Sequence, residues 1–311
     1  MIDPQSLCCP ACKAELKKIE KVYVCCDISC VHNVTENGFL VLDSCPVLIS
    51  EILCDTVCDP KSINSFVVRS SPDTALKKIK SWVRGVSNVT IKNCNAFVDN
   101  LKKNNKNPRV LVIGGGTLGL GSDALYEDKS IVCTSVDIYK TNLTDLVCDG
   151  HYLPFKGSYF DGVWIQAVLE HVVEPQAVIS EIHRVLKSNG IVYAETPFMQ
   201  QVHEGAYDFS RYTVLGHRYL FRDFDEISIG GNGGAEVALS WSLRYFVLAI
   251  TNSIRLSKLT GIFFTLVLRP FSFLIKKESL YDSSSGVFFL GRKSTHKLTH
   301  KELVRLYSGK L

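Results

Sequence analysis

Between residues 110 and 195 apolar and polar stretches alternate at the spacing of strands and helices. The runs "RVLVIG", "IVCTSVDI", "TDLVCD", "DGVWIQAV" and "GIVYAETP" are short and rich in β-branched residues, the pattern of parallel strands buried on both faces. Between the last two, "EPQAVISEIHRVLKSNG" puts Val178, Ile182, Val185 and Leu186 on one face, predicting a helix with Asn189-Gly190 as its stop. Strands alternating with helices predict an α/β fold, a doubly wound, Rossmann-like and mostly parallel sheet.

The flanks follow other patterns. The first fifty or so residues have only short strand-like runs, "KVYVC" and "GFLVLD", and nothing apolar enough to form a core unaided, so this small β segment needs a staple. A connector follows, in which "SSPDTALKKIKSWVRG" has helical spacing at Leu76, Ile79 and Val83, and the polar run "KKNNKNP" ends it. The expected organisation is a zinc-ribbon-like domain over 1–58, a helical connector over 59–107 and the α/β domain over 108–311. After residue 196 the pattern predicts a helix through "LGHRYLF", a strand at "FDEISIG", a turn at "GGNGG", two apolar helices and a last strand at "GVFFLGRK". The charge-free runs "YFVLAITNSI" and "LTGIFFTLVL" each fall below the ~20 residues that span a bilayer. They read as buried helices, with shallow, peripheral membrane contact as the alternative.

Composition narrows the function classes. A chain of 311 residues, 46% apolar, can bury a sizeable core, and a formal charge of +4 gives no strong nucleic-acid signal. Basic clusters at 76–84 and 291–310 read as solvated helix faces. The opening "MIDPQSLCCPACK" lacks a basic start followed by an apolar run, so a cytoplasmic, reducing location is expected.

Nine of the twelve cysteines precede residue 59, which points to metal rather than disulfides. Cys9-Pro-Ala-Cys12 is a C-x-x-C knuckle, and Cys25-Cys26-Asp-Ile-Ser-Cys30 lies at a distance suited to completing a four-thiolate site. The expected ligands of a structural Zn2+ are Cys9, Cys12, Cys26 and Cys30, with Cys25 in reserve. The segment "LCCPACKAELKKIEKVYVC...GFLVLDSCPVLI" resembles the small zinc-ribbon domain related to the activator subunit of tRNA methyltransferases, with Ser44-Cys45 where those proteins usually have Gly-Ile. The resemblance implies a platform or lid rather than a catalyst.

In "VLVIGGGTLGLGS" Gly114, Gly116 and Gly119 spell G-x-G-x-x-G, which suits NAD as well as S-adenosylmethionine. Asp137, eighteen positions beyond Gly119, ends the second strand and suits ribose hydroxyls in either case. The continuation "VCDGHYLPFKGSYFDGVW" and "AVLEHVVEPQAVISEIHRVLKSNGIVYAETPF" resembles class I S-adenosylmethionine-dependent methyltransferases: an acid after strand three, Leu-Pro-Phe, Phe-Asp, Leu-Glu-His-Val, then Arg-Val-Leu-Lys before a glycine turn. The first strand departs from that pattern by lacking the acid before its glycines. The resemblance implies S-adenosylmethionine as cofactor, with Gly114 and Gly116 beside the methionine end, Asp137 and Ile138 at the ribose, Asp149 and Gly150 at the adenine and Gln166 near the sulfonium.

Acceptor chemistry is expected in "PFMQQVHEGAYDFSRYT", beyond the fifth strand. His203 is the first candidate for general base, Asp208 orients it or replaces it, and Arg211 holds an anionic acceptor group; a structural Asp208–Arg211 ion pair is the competing reading. The "PF...VHE...DFSRYT" pattern resembles a methyltransferase subgroup associated with bacterial cell-surface polysaccharides, which implies a small or lipid-linked saccharide as partner. An NAD(P)-dependent sugar-modifying oxidoreductase and a non-catalytic scaffold are the alternatives.

Overall fold

The computed structural model describes residues 2–57 and 87–311. The expected helical segment over 70–85 and the basic cluster at 76–84 lie outside the described residues. Four short strands come first: β1 (Leu16–Ile19), β2 (Val22–Cys25), β3 (Phe39–Leu42) and β4 (Cys45–Pro46) form an antiparallel sheet in that order. Helix α1 (Asn88–Asn104), capped by the Ser87 hydroxyl, leads into β5 (Arg109–Ile113), α2 (Asp123–Glu127), β6 (Val132–Asp137), β7 (Leu146–Val147) and β8 (Phe160–Gln166). Then come α3 (Pro175–Val185), β9 (Leu186–Pro197), α4 (Val214–Leu220), β10 (Phe224–Asn232), α5 (Ala235–Thr251), α6 (Ile254–Leu268), α7 (Ser279–Ser283), β11 (Gly286–Lys293) and α8 (His300–Arg305).

The main sheet has seven strands in the order β10-β11-β9-β8-β5-β6-β7. β9, β8, β5, β6 and β7 pair in parallel, and β11 and β10 add to β9 antiparallel. This is the doubly wound α/β fold the alternating pattern predicts. The two-residue period of β5 sorts its side chains between two cores: Val110 and Val112 face Phe97 and Leu101 of α1, while Leu111 and Ile113 join Val178, Ile182 and Val185 of α3.

Two expectations are corrected. Helix α3 ends at Val185, not at Asn189-Gly190, because Leu186 turns extended and pairs with Phe160. The register then skips to Gly162–Ile191, so the Asn-Gly pair sits in the irregularity between them. Pairing with β8 wins over the helical pattern. The apolar helices after "GGNGG" are also not buried. Asn232 and Gly286 are directly paired neighbours, so residues 233–285 leave the sheet and return to the same spot. Inside that excursion α5 and α6 pack on each other, joined through Asn252 in a left-handed conformation and the Ser253 cap. Helix α6 and the turn after it make a 21-residue apolar stretch, Ile254–Leu274, which by length and composition is enough to cross a membrane, unlike the shorter charge-free run within it, and which is almost wholly unburied. The sheet faces are already covered by α1 and α3, leaving this pair no core to enter.

The small sheet is built onto the edge of the large one. Edge strand β7 is covered by a parallel bridge from Val47 to Val147, with Leu48 N donating to Val147 O at 2.8 Å. Leu7 bridges Phe155, and Leu7, Cys9, Phe39 and Leu48 belong to the same core as Leu146 and Phe160.

Candidate active site

Strand order reverses between β5 and β8, and the loops at their carboxyl ends open the crevice where open α/β sheets bind ligands. Gly114 begins the first loop with φ +76°, and a side chain there would run into Val168 of the facing loop. Gly116 is held by its neighbour strand: its N–H donates to Asp137 Oδ2 at 2.8 Å, and a Cβ would lie 2.6 Å from that oxygen. Asp137 Oδ1 accepts from Tyr139 N at 3.1 Å. One carboxylate thus shapes both the glycine turn and the start of the next loop. Gln166 spans the crevice, donating to Leu120 O at 3.2 Å.

These groups form one cluster, Gly114, Gly116, Asp137 and Gln166, at the ends of β5, β6 and β8. Ile138 sits partly buried beside Val147, and Asp149 and Gly150 lie one strand further out, after β7. Asp149 is 5% exposed; it accepts from His151 N at 2.9 Å, faces His151 Nδ1 at 2.5 Å and accepts from Thr56 Oγ1 of the amino-terminal segment. Burial opposes its ionisation, but the bonds from His151 and Thr56 outweigh that and hold the carboxyl below its ordinary value. The glycine turn, which leaves no room for a side chain at Gly114 or Gly116, and the Asp137 carboxylate fit a nucleoside-bearing cofactor approaching backbone closely.

A cleft of about 840 Å3 continues from Leu120 and Gln166 across the ends of β8 and β9. Glu170, Glu195, Gln200 and His203 line it, and its far wall is Trp241, Thr265 and Leu268 of the helical pair. His203 stands at the rim with Nδ1 3.2 Å from Asp208 Oδ2, and its own N–H donates to the same oxygen at 2.8 Å. Asp208 thus contacts both the ring and the backbone N–H of His203. The Arg211 expectation is corrected toward the ion pair. Its guanidinium donates to both Asp208 oxygens, at 2.8 Å for Nη2–Oδ2, and to the carbonyls of Gln200, Gln201 and Ser210. All of its N–H groups are spent holding the loop, leaving none for an acceptor. Hydrogen bonds from Arg211 keep Asp208 ionised, well below the usual carboxylate range.

Sequence reasoning missed two glutamates. Glu195 is enclosed and accepts from Tyr193 OH at 2.7 Å and Thr90 Oγ1 at 3.0 Å. Glu170 is 1% exposed, and neither carboxyl oxygen has a hydrogen-bond partner among the described residues. His171 Nε2 is 3.7 Å away, its Nδ1 taken by Tyr207 O at 2.7 Å. "LEHV" was their only sequence signal, as part of a family pattern. Burial pushes the Glu170 carboxyl from an ordinary 4.5 up to about 8. The fold therefore binds this proton more tightly than the unfolded chain does, and the stability it confers is lost as pH rises from 4.5 toward 8. Glu170→Gln should remove a slope of about 1.4 kcal/mol per pH unit across that window. Melting scans of both proteins at pH 5 and pH 8 check it: wild type must lose ground to the variant at pH 8.

The cysteine cluster also differs from expectation. Cys9, Cys12, Cys25 and Cys30 place their sulfurs within 4.8 Å of one another, while Cys26 is exposed and outside the group. Cys25, the last residue of β2, is buried within the group, while Cys26, just beyond the strand end, turns its side chain to solvent. The Cys9–Cys30 and Cys12–Cys25 sulfurs are 3.9 and 3.4 Å apart, close to the edge of about 3.8 Å of a tetrahedron with Zn–S near 2.3 Å. Burial pushes the Cys9 thiol up to about 12, so a thiolate there calls for a cation.

Comparison with known proteins bears on the central segment. Residues 111–194 match the family model described as "Methyltransferase domain". No curated protein matches the chain. Among solved structures it is similar to a putative sarcosine dimethylglycine methyltransferase from Galdieria sulphuraria (12% identity, 66% of this chain and 85% of that one, TM-score 0.44). It is also similar to a chain of the complex between the Haloferax volcanii Trm112 methyltransferase activator and the putative methyltransferase (17%, 72% and 99%, 0.41). A third is Haemonchus contortus phosphoethanolamine N-methyltransferase 2 in complex with S-adenosyl-L-methionine (16%, 75% and 60%, 0.42). The matched residues run from β5 through β9 and contain the glycine turn, Asp137, Asp149, Gln166 and Glu170, so the sheet that carries the candidate site is a methyltransferase domain.

Proposed function

We propose that the protein methylates a hydroxyl of a saccharide or glycolipid-linked acceptor and that its amino-terminal sheet is a zinc ribbon holding one structural Zn2+ on Cys9, Cys12, Cys25 and Cys30. The observation that carries the acceptor reading is the cleft: it joins Gln166 at the cofactor turn to His203 and to an apolar helical wall. Bound S-adenosylmethionine supplies an electrophilic methyl group on a sulfonium. The chain's own work is to hold and orient. Gly114 and Gly116 admit the methionine end, Asp137 and Ile138 take the ribose, and Asp149 and Gly150 bound the adenine. His203, with Nδ1 against Asp208, receives the acceptor's proton on Nε2. Arg211 positions that pair through its grip on the loop. Four thiolates leave a zinc ion no open position, so the ribbon supports the sheet edge and has no catalytic part.

Calorimetric titration with S-adenosylmethionine and with NAD tests the cofactor; binding of NAD alone would favour the oxidoreductase alternative and end this reading. With an acceptor in hand, His203→Ala should lower kcat by about 10^2 to 10^4 while leaving cofactor affinity as it is. An unchanged kcat would remove His203 as base.

A further inference from the structure

The excursion between β10 and β11 has no structural need to exist. Antiparallel neighbours paired at Asn232 and Gly286 can be closed by a two-residue turn, yet the chain spends residues 233–285 there. What it builds is an apolar surface facing away from the protein. Phe246 and Ile250 of α5, Leu259 and Phe263 of α6, and Phe271 and Phe273 beyond it are between 55% and 81% exposed. Leu259, Ile262, Phe263 and Leu266 repeat at three- and four-residue spacing, the mark of one continuous helix face. A contiguous patch of this kind is an interaction surface.

Charge selects the partner. Between residues 237 and 277 there are six cationic side chains, Arg244, Arg255, Lys258, Arg269, Lys276 and Lys277, and not one Asp or Glu. Arg255 and Lys258 flank the apolar face near the tip, and Lys276 and Lys277 follow its base; all four are exposed. Apolar side chains bordered by this cationic set, with Glu278 the first exposed acid beyond it, complement a bilayer interface carrying anionic headgroups. The inner side of the same helices completes the picture. Trp241, Thr265 and Leu268 line the cleft that holds Glu170 and His203, so one element faces the lipid with its outer side and the acceptor site with its inner side.

We infer that the α5–α6 pair is a bilayer-docking element that seats the enzyme on an anionic phospholipid surface and brings the tail of a lipid-linked acceptor to the cleft. The second half of this statement rests on the methyltransferase reading; the first does not, and vesicle binding is measured without cofactor so that the two can fail separately.

The test is flotation of the full chain with vesicles of phosphatidylcholine, with and without phosphatidylglycerol. Wild type should float with the mixed vesicles. Leu259→Asp/Phe263→Asp should float at least about tenfold less, and Arg255→Glu/Lys258→Glu should lose the preference for phosphatidylglycerol. Both pairs are exposed, and unchanged melting curves confirm folded protein. Three results overturn the inference: no flotation of wild type, flotation of the aspartate variant equal to wild type, or a wild-type dimer dispersed by that variant without vesicle binding. The last would assign the face to a second copy of the chain. S-adenosylmethionine affinity unchanged in both variants shows that the cofactor reading stands whatever the vesicles do.

Discussion

Asp137→Ala should weaken S-adenosylmethionine binding about a hundredfold and lower the melting temperature as well, since two backbone N–H groups lose their charged acceptor. The carboxylate accepts from Gly116 N at 2.8 Å and from Tyr139 N at 3.1 Å, so it sets the shape of the turn as well as offering acceptor capacity to a ribose. A hydrogen bond to a charged group is worth about 1.5–3 kcal/mol, and each 1.4 kcal/mol is a factor of ten in affinity. Losing the ribose bond and releasing the turn together give the stated size. Asp137→Asn keeps one acceptor oxygen and should fall between the two proteins. Calorimetry on the three decides; equal affinity for all of them would mean that the ribose is held elsewhere.

Wild type should carry one zinc ion in native mass spectrometry, and Cys9→Ser or Cys25→Ser should abolish its binding and lower the melting temperature by about 10 °C or more. The strands of the amino-terminal sheet are only two to four residues long. Its contacts cover the β7 edge and reach Asp149 through Thr56, so loosening it exposes both. Loss of a structural metal ligand costs several kcal/mol, and each kcal/mol moves the melting point of a chain this size by about 2–4 °C. Cys26→Ser is the control, expected to keep both zinc and stability because its thiol lies outside the cluster. Zinc retained by Cys25→Ser but lost from Cys26→Ser would restore the spacing-based set.

The contrast between Cys25 and Cys26 shows where sequence reasoning stops. Knuckle spacing locates a metal site to within a residue, but which of two adjacent thiols turns inward depends on the course of the chain at the end of β2, and β2 had to be placed first. Arg211 is similar. Its proximity to Asp208 was legible, while the three carbonyls that absorb its remaining N–H groups come from a loop conformation with no periodic signature. Glu170 was visible only as a letter in "LEHV", because nothing local says that a carboxyl will be enclosed without a hydrogen-bond partner.

The sequence by itself determined the alternation of strands and helices from 110 to 195, the glycine turn with its acid at the next strand end, and the segregation of cysteines at the amino terminus. These are local or periodic properties, carried by residues within a few positions of one another. Only the tertiary structure decided that the ribbon caps the β7 edge, that Asp208 binds His203 and Arg211 at once, and that the helices after β10 stand outside the core. Hydropathy reports that a segment avoids water, not what covers it. With both sheet faces already occupied by α1 and α3, the remaining apolar pair had only the exterior to face.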